Sequence, residues 1–383
     1  MMRSPNYTQQ PWTITYSEII DVRSPSEYAE DHLPGAINLP VLDDTERAKV
    51  GTIYKQVSPF EARKLGASLV AQNVARHLSN HFAAQAKDYH PLVYCWRGGQ
   101  RSNSLAMVLN QIGWQVTVLQ GGYKTYRSYV RQQLDQLPAE FSYKILSGLT
   151  GSGKTHILRQ LAKRDVQVLD LESIANHRGS LLGQEWEMVR GGEDSAIITP
   201  QPSQKYFESL LLKTLQSFDT SKVLWVEAES NKIGQLHLPP SLWENMKQAG
   251  CVEVQLSQAA RVEWLLQEYP HLATHPELLK DKLEYLKSRY GRKKIDEWYH
   301  LIDLKQGQAL VGDLLENHYD PAYRRSMGKC YNRIEYQLAI ADLSESSVEA
   351  LVDELLNLGN YSRRQKAEGR RQREEGRRQK IDW

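Results

Sequence analysis

The sequence predicts an α/β protein with two parallel-sheet domains and a helical extension behind the second. Short apolar runs alternate with helical patterns in the first third of the chain, and the same alternation begins again near Tyr143. Strands that alternate with helices are typical of parallel sheets with helices on their faces. From about Ala259 onward, long helical patterns dominate. A length of 383 residues also favours two domains over one.

Individual elements follow from the apolar patterning. The apolar spacing between Ser102 and Ile112 predicts a helix with one buried face, and a second helix is expected at 156–162. The predicted strands are 18–22, 91–94 and 115–119 in the first domain, and 143–146, 166–169, 223–226 and 252–256 in the second.

The domain boundaries follow from shifts in composition. The segment 131–141 is polar and contains Pro138, so we expect a linker there. The first domain would then occupy residues 1–130, and the second domain with its extension 142–355. Positions 361–380 contain nine basic residues and three glutamates, and almost no apolar residues. Residues 356–383 are therefore expected to form a basic tail, either helical or disordered.

The overall composition limits the function classes. A formal net charge of +2 does not indicate a nucleic-acid partner for the chain as a whole. The three cysteines are too few for a disulfide framework, and none stands at a zinc-ligand spacing from another. The N-terminal segment lacks an apolar signal-peptide core, and no stretch approaches the roughly 18 apolar residues of a membrane span. We therefore predict a cytoplasmic protein with reduced thiols and no membrane partner.

Cys95 follows an apolar strand and precedes a glycine-rich turn and a helix. Backbone N–H groups in such a loop, together with the positive end of the helix, favour a thiolate over a thiol. Gly98 and Gly99 let the backbone curl, and Arg97 and Arg101 add positive charge. We therefore predict that these five residues form a catalytic loop with Cys95 as a nucleophile of low pKa. The same loop would hold a persulfide, a perselenide or a small oxyanion.

The alternative interpretation of Cys95 is a small buried apolar residue at the end of a strand, which is what most free cysteines are. The glycines and arginines that surround it argue against this interpretation. Cys251 and Cys330 have no comparable surroundings, and we expect a structural role for both.

A second anion-binding loop lies between a predicted strand and a predicted helix. The segment 148–155 reads GLTGSGKT and matches the phosphate-binding pattern G-x-x-x-x-G-K-[ST] in the required context. Its glycines free the backbone to wrap phosphate oxygens, Lys154 supplies a positive charge, and Thr155 can reach a magnesium ion. The pattern does not distinguish ATP from a diphosphate of another group. The predicted phosphate-binding residues are Gly148, Thr150, Gly151, Ser152, Gly153, Lys154, Thr155 and, from a polar loop, Arg178.

An acidic partner for this loop is expected at the end of an apolar strand. Asp170 and Glu227 both meet that condition, and the sequence does not choose between them or exclude an ordinary strand-end residue. For Arg178, a surface position is an equal alternative. Trp225 and Trp264 are predicted to lie in the core.

The first third of the chain resembles the rhodanese family. The resemblance rests on segments 21–23 (DVR), Glu27, 32–38 (HLPGAIN), the Cys95 loop and 118–122 (VLQGG), in that family's order. Most sulfurtransferases of the family place an arginine five positions after the cysteine, whereas Arg101 is six positions after it. The longer loop is similar to that of the phosphatase branch of the fold, which implies a substrate carrying a chalcogen on a phosphate.

The combination of both domains resembles the bacterial tRNA 2-selenouridine synthase family over nearly the whole chain. Beyond the two loops, the match includes 55–58 (KQVS), 62–67 (ARKLGA) and 120–124 (QGGYK). The resemblance implies that the wobble uridine of tRNAs for lysine, glutamate and glutamine is modified. It implies geranyl diphosphate and selenophosphate as co-substrates, with S-geranylation of 2-thiouridine before the exchange for selenium. Selenophosphate synthase is a candidate partner.

This resemblance suggests that the P-loop domain serves geranyl transfer and that Cys95 serves selenation. Whether Cys95 carries selenium covalently, and whether Mg²⁺ or ATP takes part, is left open by the residues. A tRNA substrate also requires a positive surface. A solvated helical face is the equal alternative for the basic residues that are candidates for it. These candidates are Lys287, Arg289, Arg292, Lys293 and Lys294, with Arg324, Arg325 and the tail.

Two other functions fit the same pair of loops. One is a rhodanese-type sulfurtransferase fused to an ATP-dependent kinase. The other is a phosphatase-like regulator, in which Cys95 attacks a phosphoester and the P-loop domain senses a nucleotide. Robust ATPase or phosphatase turnover without tRNA would favour these alternatives over the synthase.

Overall fold

Two compact units make up the chain. The structure, a computed structural model, describes residues 4–184, 186–188, 196–270, 274–331 and 333–358. The first unit contains Met1–Gln136 and Pro202–Thr214, and the second contains Leu137–Gln201 and Leu215–Trp383. The predicted basic tail lies outside the described residues from position 359 onward.

A parallel five-stranded sheet forms the centre of the first unit. Its strands are β1 (Asn6–Thr8), β2 (Glu18–Asp21), β3 (Ala36–Asn38), β4 (Pro91–Tyr94) and β5 (Thr117–Leu119). Its helices are α1 (Pro25–Glu30), α2 (Asp44–Gln56), α3 (Pro59–Asn80), α4 (Gln100–Ile112) and α5 (Tyr123–Gln136). The strand order is β1-β5-β4-β2-β3, with every pair parallel. Leu105 and Leu109, on the predicted apolar face of α4, are fully buried in the core against this sheet.

A second parallel five-stranded sheet forms the centre of the second unit, in the order β14-β13-β6-β10-β7. The strands of this unit, two short antiparallel hairpins included, are β6 (Ser142–Ser147), β7 (Gln167–Leu169), β8 (Trp186–Met188), β9 (Ala196–Ile198), β10 (Val223–Glu227), β11 (Lys232–Ile233), β12 (Leu236–His237), β13 (Gly250–Gln255) and β14 (Ile334–Ala339). Because β6 lies inside the sheet, the phosphate loop that follows it opens at the carboxyl edge, where ligands of such sheets bind.

Helices surround this second sheet and continue into the C-terminal region. They are α6 (Lys154–Ala162), α7 (Leu171–Ala175), α9 (Pro240–Gln248), α10 (Gln258–Glu268), α11 (Pro276–Glu284), α12 (Lys287–Asp303), α13 (Gly307–Leu314), α14 (Asp320–Cys330) and α15 (345–358). The intervening helix α8 (Gln204–Gln216) lies mostly in the first unit. The region after Ala259 is largely helical, as predicted, but it also contributes β14. That strand is mostly exposed, so its composition carries little strand signal, and its pairing with β13 creates it.

Residues 202–214 belong to the first unit, although they follow the phosphate loop in sequence. Within that unit, Ser209 donates a hydrogen bond of 2.9 Å to Asp31, and Arg127 pairs with Glu208. Residues 131–141, where we expected a linker, contain the end of α5 and a 3-10 turn at Leu137–Glu140. Contacts between residues 178 positions apart leave no local sequence pattern. The sequence therefore did not indicate that residues 202–214 belong to the first unit.

Within the described ranges, none of the helices combines the length and apolar character that crossing a bilayer requires.

Candidate functional site

The Cys95 loop connects β4 to α4. It turns at Gly98, where φ is +63°, and α4 starts at Gln100. In the described part of the chain, the backbone amides of residues 96–101 have no hydrogen-bond acceptor. These amides and the first turn of a 13-residue helix are suited to holding an anion.

The thiol of Cys95 lies at the base of this loop. The residue is only 3% exposed and belongs to the core cluster that contains Ile20 and Val93, so its burial alone would also fit an inert cysteine. The loop distinguishes it, because Sγ lies 3.3 Å from the hydroxyl of the buried Ser102. That hydroxyl also donates to the carbonyl oxygen of Gly99 at 3.2 Å. By turning towards Sγ, it can instead donate a hydrogen bond to the sulfur atom.

The two arginines of the predicted catalytic loop have different environments. Arg97 is exposed, whereas Arg101 donates two hydrogen bonds, of 2.6 and 3.3 Å, to the carboxylate of Glu27. Burial opposes the ionisation of Glu27, but Arg101, the amide of Ser24 and Arg47 outweigh it and hold the pKa of Glu27 below its ordinary value. The positive charge that we expected Arg101 to add to the loop is therefore largely compensated by Glu27.

A buried charged layer that the sequence motifs did not explain supports the loop. Arg23 is 1% exposed, pairs with Asp21 at 2.6 Å and lies 4.1 Å from the ring centroid of Tyr123. The amide of Tyr123 donates to the carbonyl oxygen of Cys95 at 2.8 Å, and its hydroxyl donates to Asp31 at 2.7 Å. Arg23 belongs to the DVR segment at 21–23, and that motif was the sequence signal that could have indicated its supporting role beneath the Cys95 loop.

Gly122 is expected to be essential for the shape of the Cys95 loop. Its φ is +61°, and a Cβ atom there would lie 2.2 Å from the carbonyl oxygen of Cys95 and 2.5 Å from the amide nitrogen of Gly98. Gly122→Ala should therefore lower the free energy of unfolding by about 2 kcal/mol or more, measured by thermal or denaturant unfolding. Gly51→Ala, in open space inside α2, is the control and should be neutral or stabilising. Equal destabilisation by both substitutions would contradict the prediction.

The phosphate loop connects β6 to α6 and has the same kind of backbone. The amides of residues 153–156 find no acceptor among the residues described, and they belong to the N-cap and first turn of the nine-residue helix α6. Lys154 donates from Nζ to the carbonyl oxygen of Gly148 at 3.0 Å, which leaves two N–H groups for an anion. The hydroxyl of Ser152 is buried and unpartnered in the same part of the chain. Burial holds the pKa of Lys154 below its ordinary value, although three glutamates lie near it.

Arg261 fixes the phosphate loop from outside, a contact that the sequence did not predict. It is 4% exposed, forms a two-pronged ion pair with Asp320 at 2.8 Å, and donates to the carbonyl oxygen of Thr150 at 3.0 Å. A buried arginine that is held by a carboxylate in this way is rigid. It therefore restricts the predicted phosphate-binding loop to one shape.

The acidic partner of Thr155 is neither of the two carboxylates that the sequence offered. Asp170 caps α7 and pairs with Arg159 at 3.0 Å, while Glu227 is fully buried and accepts the amide of Glu172 at 3.0 Å. Glu172 itself accepts the hydroxyl of Thr155 at 2.7 Å. Its position two residues after Asp170, in the first turn of α7, was the available signal.

Glu229 is a further acidic group that the sequence reasoning missed. It follows Glu227 by two positions at the end of β10, is 7% exposed and lines the cavity at the phosphate loop. Burial, reinforced by Glu172, raises the pKa of Glu229 to about 8 in spite of Lys154. Burial and the neighbouring carboxylates also raise the pKa of Glu227 well above its ordinary value. Near neutral pH the carboxyl group of Glu229 is therefore largely protonated and adds little repulsion towards an anion.

Anion binding in this cavity is expected to weaken as Glu229 ionises. Below about pH 8 its carboxyl group is mostly neutral, and above that pH a negative charge stands beside Lys154. Between about pH 7 and about pH 9, the affinity for inorganic pyrophosphate should fall by about 10-fold relative to Glu229→Gln, which cannot ionise. Calorimetric titration of both proteins measures this difference, and the comparison cancels the ionisation of pyrophosphate itself. Parallel pH profiles for the two proteins would count against the assignment.

The cavity at the phosphate loop combines polar and apolar walls. Its volume is about 500 Å³. Its lining includes the loop with Lys154 and the buried Glu229, together with apolar and aromatic side chains, which are Trp264, Leu265, Tyr269, Tyr319 and Tyr323. Trp225 is buried in the core as predicted, but the core prediction for Trp264 is wrong. Trp264 is half-buried beside His156, with ring centroids 5.0 Å apart, because the cavity keeps one side of it open.

The remaining predicted residues lie apart from the loops or are engaged by acidic groups. Arg178 lines the cavity but donates to Glu268 at 3.2 Å and lies 4.9 Å from the ring centroid of Tyr269. On α12, three of the five basic candidates for tRNA contacts form ion pairs, which reduces the positive field there. These pairs are Lys287 with Glu284, Arg292 with Asp296, and Lys294 with Asp313.

Comparison with known proteins extends over both units. A family described as "tRNA 2-selenouridine synthase AAA domain" matches residues 141–352, and "Rhodanese-like domain" matches residues 6–129. A relative from Shewanella loihica, named tRNA 2-selenouridine synthase, is 34% identical over 83% of this chain and 89% of its own length. The chain belongs to the tRNA 2-selenouridine synthase family. A relative of the same name from Aeromonas salmonicida is 33% identical over 83% of this chain and 90% of its own.

Membership of the tRNA 2-selenouridine synthase family confirms the resemblance and the fold class predicted from the sequence. The protein is an enzyme of tRNA modification that handles selenium, and the family implies selenophosphate and tRNA as its substrates. A solved structure of a rhodanese-related protein from Thermoplasma volcanium covers 33% of this chain and 93% of its own, at 16% identity and a TM-score of 0.22. In the described residues, no cluster of three or more histidine, cysteine or acidic side chains is arranged to hold a metal ion.

Proposed function

We propose that this enzyme converts 2-thiouridine into 2-selenouridine at the wobble position of tRNAs for lysine, glutamate and glutamine, through an S-geranyl intermediate. Geranyl diphosphate and selenophosphate are the co-substrates. The P-loop site serves geranyl transfer, and the Cys95 loop serves the exchange for selenium. The reaction takes place in the cytoplasm, with selenophosphate synthase as a candidate donor partner.

The observation that carries this proposal is the mixed chemistry of the cavity at the phosphate loop. Geranyl diphosphate has an anionic end and a long apolar end. The amides of residues 153–156 and Lys154 suit the diphosphate, and the wall around Trp264 and Leu265 suits the hydrocarbon chain. A site for phosphates alone would not need such a wall.

Geranyl transfer requires stabilisation of the leaving diphosphate. The 2-thiouridine sulfur forms a bond to C1 of the geranyl group while the bond from C1 to the diphosphate oxygen breaks, and N3 of the base loses its proton to solvent. The bonding electrons leave with the diphosphate, where the loop amides and Lys154 stabilise the added negative charge. Thr155 and Glu172 are the residues that would hold an Mg²⁺ ion, which would neutralise further charge on the diphosphate.

The exchange for selenium uses the first unit in this scheme. Alkylation makes the sulfur a better leaving group, so geranyl thiol departs as selenium bonds to the uridine carbon. The amides of residues 96–101 would hold the phosphate part of selenophosphate near Sγ of Cys95. Attack on the phosphorus, either by Sγ of Cys95 with later hydrolysis of the S–P bond or by water directly, breaks the P–Se bond. Phosphate is the final by-product, and the selenide that is released bonds to the uridine carbon.

Nucleoside analysis of tRNA tests the proposal as a whole. Cells that lack this chain should contain neither 2-selenouridine nor S-geranyl-2-thiouridine by mass spectrometry, and re-supply of the wild-type chain should restore both. Persistence of 2-selenouridine in the deleted cells would refute the proposal. Tight ATP binding with robust tRNA-independent ATPase turnover would refute it as well.

A further inference from the structure

A groove beside the Cys95 loop combines aromatic rings with positive charge. It has a volume of about 660 Å³ and is formed within the first unit by the segment after β1, the Cys95 loop and one face of α5. We call it the aromatic groove and define it by Trp12, Arg97, Lys124, Tyr129, Gln132 and Gln133. None of these residues except Arg97 belongs to the proposed catalytic loop.

The aromatic groove presents a platform for a planar ring. Trp12 stacks on Tyr129 with ring centroids 3.6 Å apart and an interplanar angle of 16°, yet Trp12 remains 42% exposed. The 3-10 turn Pro11–Thr13, anchored by the buried Pro11, carries Trp12 onto α5. Two stacked rings with a face towards solvent are what nucleic-acid-binding proteins use to stack an unpaired base.

The rest of the groove suits the backbone and edges of a nucleotide chain. Every charged residue that lines it is basic, and Arg97 and Lys124 are both exposed. Gln132 and Gln133 add amide groups that both donate and accept hydrogen bonds. Positive charge, stacking rings and amides in one open groove match single-stranded nucleic acid better than a peptide or a paired duplex.

The aromatic groove is adjacent to the Cys95 loop. Arg97 belongs to both, and the amide of Lys124 donates to the carbonyl oxygen of Trp96 at 3.2 Å. We propose that the aromatic groove binds the unpaired anticodon-loop nucleotides next to the wobble uridine, so that the uridine itself faces the Cys95 loop. This inference rests on the proposed function and names the surface that would bring its tRNA substrate to the selenation site.

The test uses the full-length chain and a fluorescent RNA hairpin with a seven-nucleotide anticodon loop. Trp12→Ala should weaken hairpin binding by about 10-fold, because it removes one base-stacking surface, and Trp12→Phe should restore most of the affinity. Lys124→Gln should weaken binding and reduce its dependence on salt. Tyr54→Ala and Lys49→Gln, exposed residues on α2, are the matched controls and should bind as the wild type does.

The results separate this inference from the proposed function. The Trp12→Ala protein should show a raised KM for tRNA with kcat for selenation little changed, and Lys124→Gln decides the outcome if Trp12→Ala does not fold. If both variants bind the hairpin like their controls, or if a fully paired duplex binds as tightly as the hairpin, the groove is not the anticodon-loop site. If the wild-type chain forms no 2-selenouridine on tRNA, the proposed function itself fails, whatever the binding result.

Discussion

Cys95→Ala is expected to abolish 2-selenouridine while S-geranylated tRNA accumulates. The substitution removes Sγ but leaves the loop amides and the whole second unit in place. Geranyl transfer should therefore continue, and 2-selenouridine should fall below about 1% of the wild-type level, as losing a nucleophile typically causes. Mass spectrometry of nucleosides from digested tRNA measures both species in one experiment.

Cys330→Ala is the matched control for this variant, because Cys330 is a half-buried cysteine outside both loops. It should give the wild-type nucleoside pattern. Cys251 is less suitable as a control, since it is fully buried and its replacement would leave a cavity. Wild-type amounts of 2-selenouridine with Cys95→Ala, or loss of the geranylated nucleoside in that variant, would contradict the role that we assign to Cys95.

Lys154→Ala is expected to remove the geranylated nucleoside itself. In the proposed reaction Lys154 supplies positive charge to the leaving diphosphate, and its neutral replacement would leave the loop amides alone to stabilise that group. We expect geranyl transfer to fall by about 100-fold to 1,000-fold, the range found when one donor to a developing anion is removed. The rate of S-geranylation of 2-thiouridine-containing tRNA by the purified chain measures this effect.

A rescue experiment makes the test of Lys154 specific. When S-geranylated tRNA and selenophosphate are supplied, Lys154→Ala should still form 2-selenouridine, whereas Cys95→Ala should not. Lys163→Ala, an exposed lysine just past the end of α6, is the control and should behave as the wild type. If both Cys95→Ala and Lys154→Ala stop before geranylation, the division of labour between the two loops is refuted.

Structural elements that depend on residues adjacent in the sequence were predictable from the sequence. Both anion-binding loops lie between a strand and a helix, and the strand ends at Tyr94 and Ser147 are where the apolar runs placed them, within one residue. The reason is that a strand, a glycine-rich turn and the first turn of a helix each depend on the local chain. The order of the two domains and the fold class followed from the same local patterns.

The partners of the predicted residues were decided only by the tertiary structure. Arg101 pairs with Glu27 from 74 positions away, and Thr155 bonds Glu172 rather than either carboxylate that the strand pattern suggested. The stacking of Trp12 on Tyr129 and the pairing of β14 with β13 likewise join distant parts of the chain. Local sequence determines backbone shape, but charge compensation, pKa and the apolar wall of a cavity depend on which distant side chains the fold brings together. The sequence by itself therefore determined where the two loops lie, and only the fold decided what surrounds them.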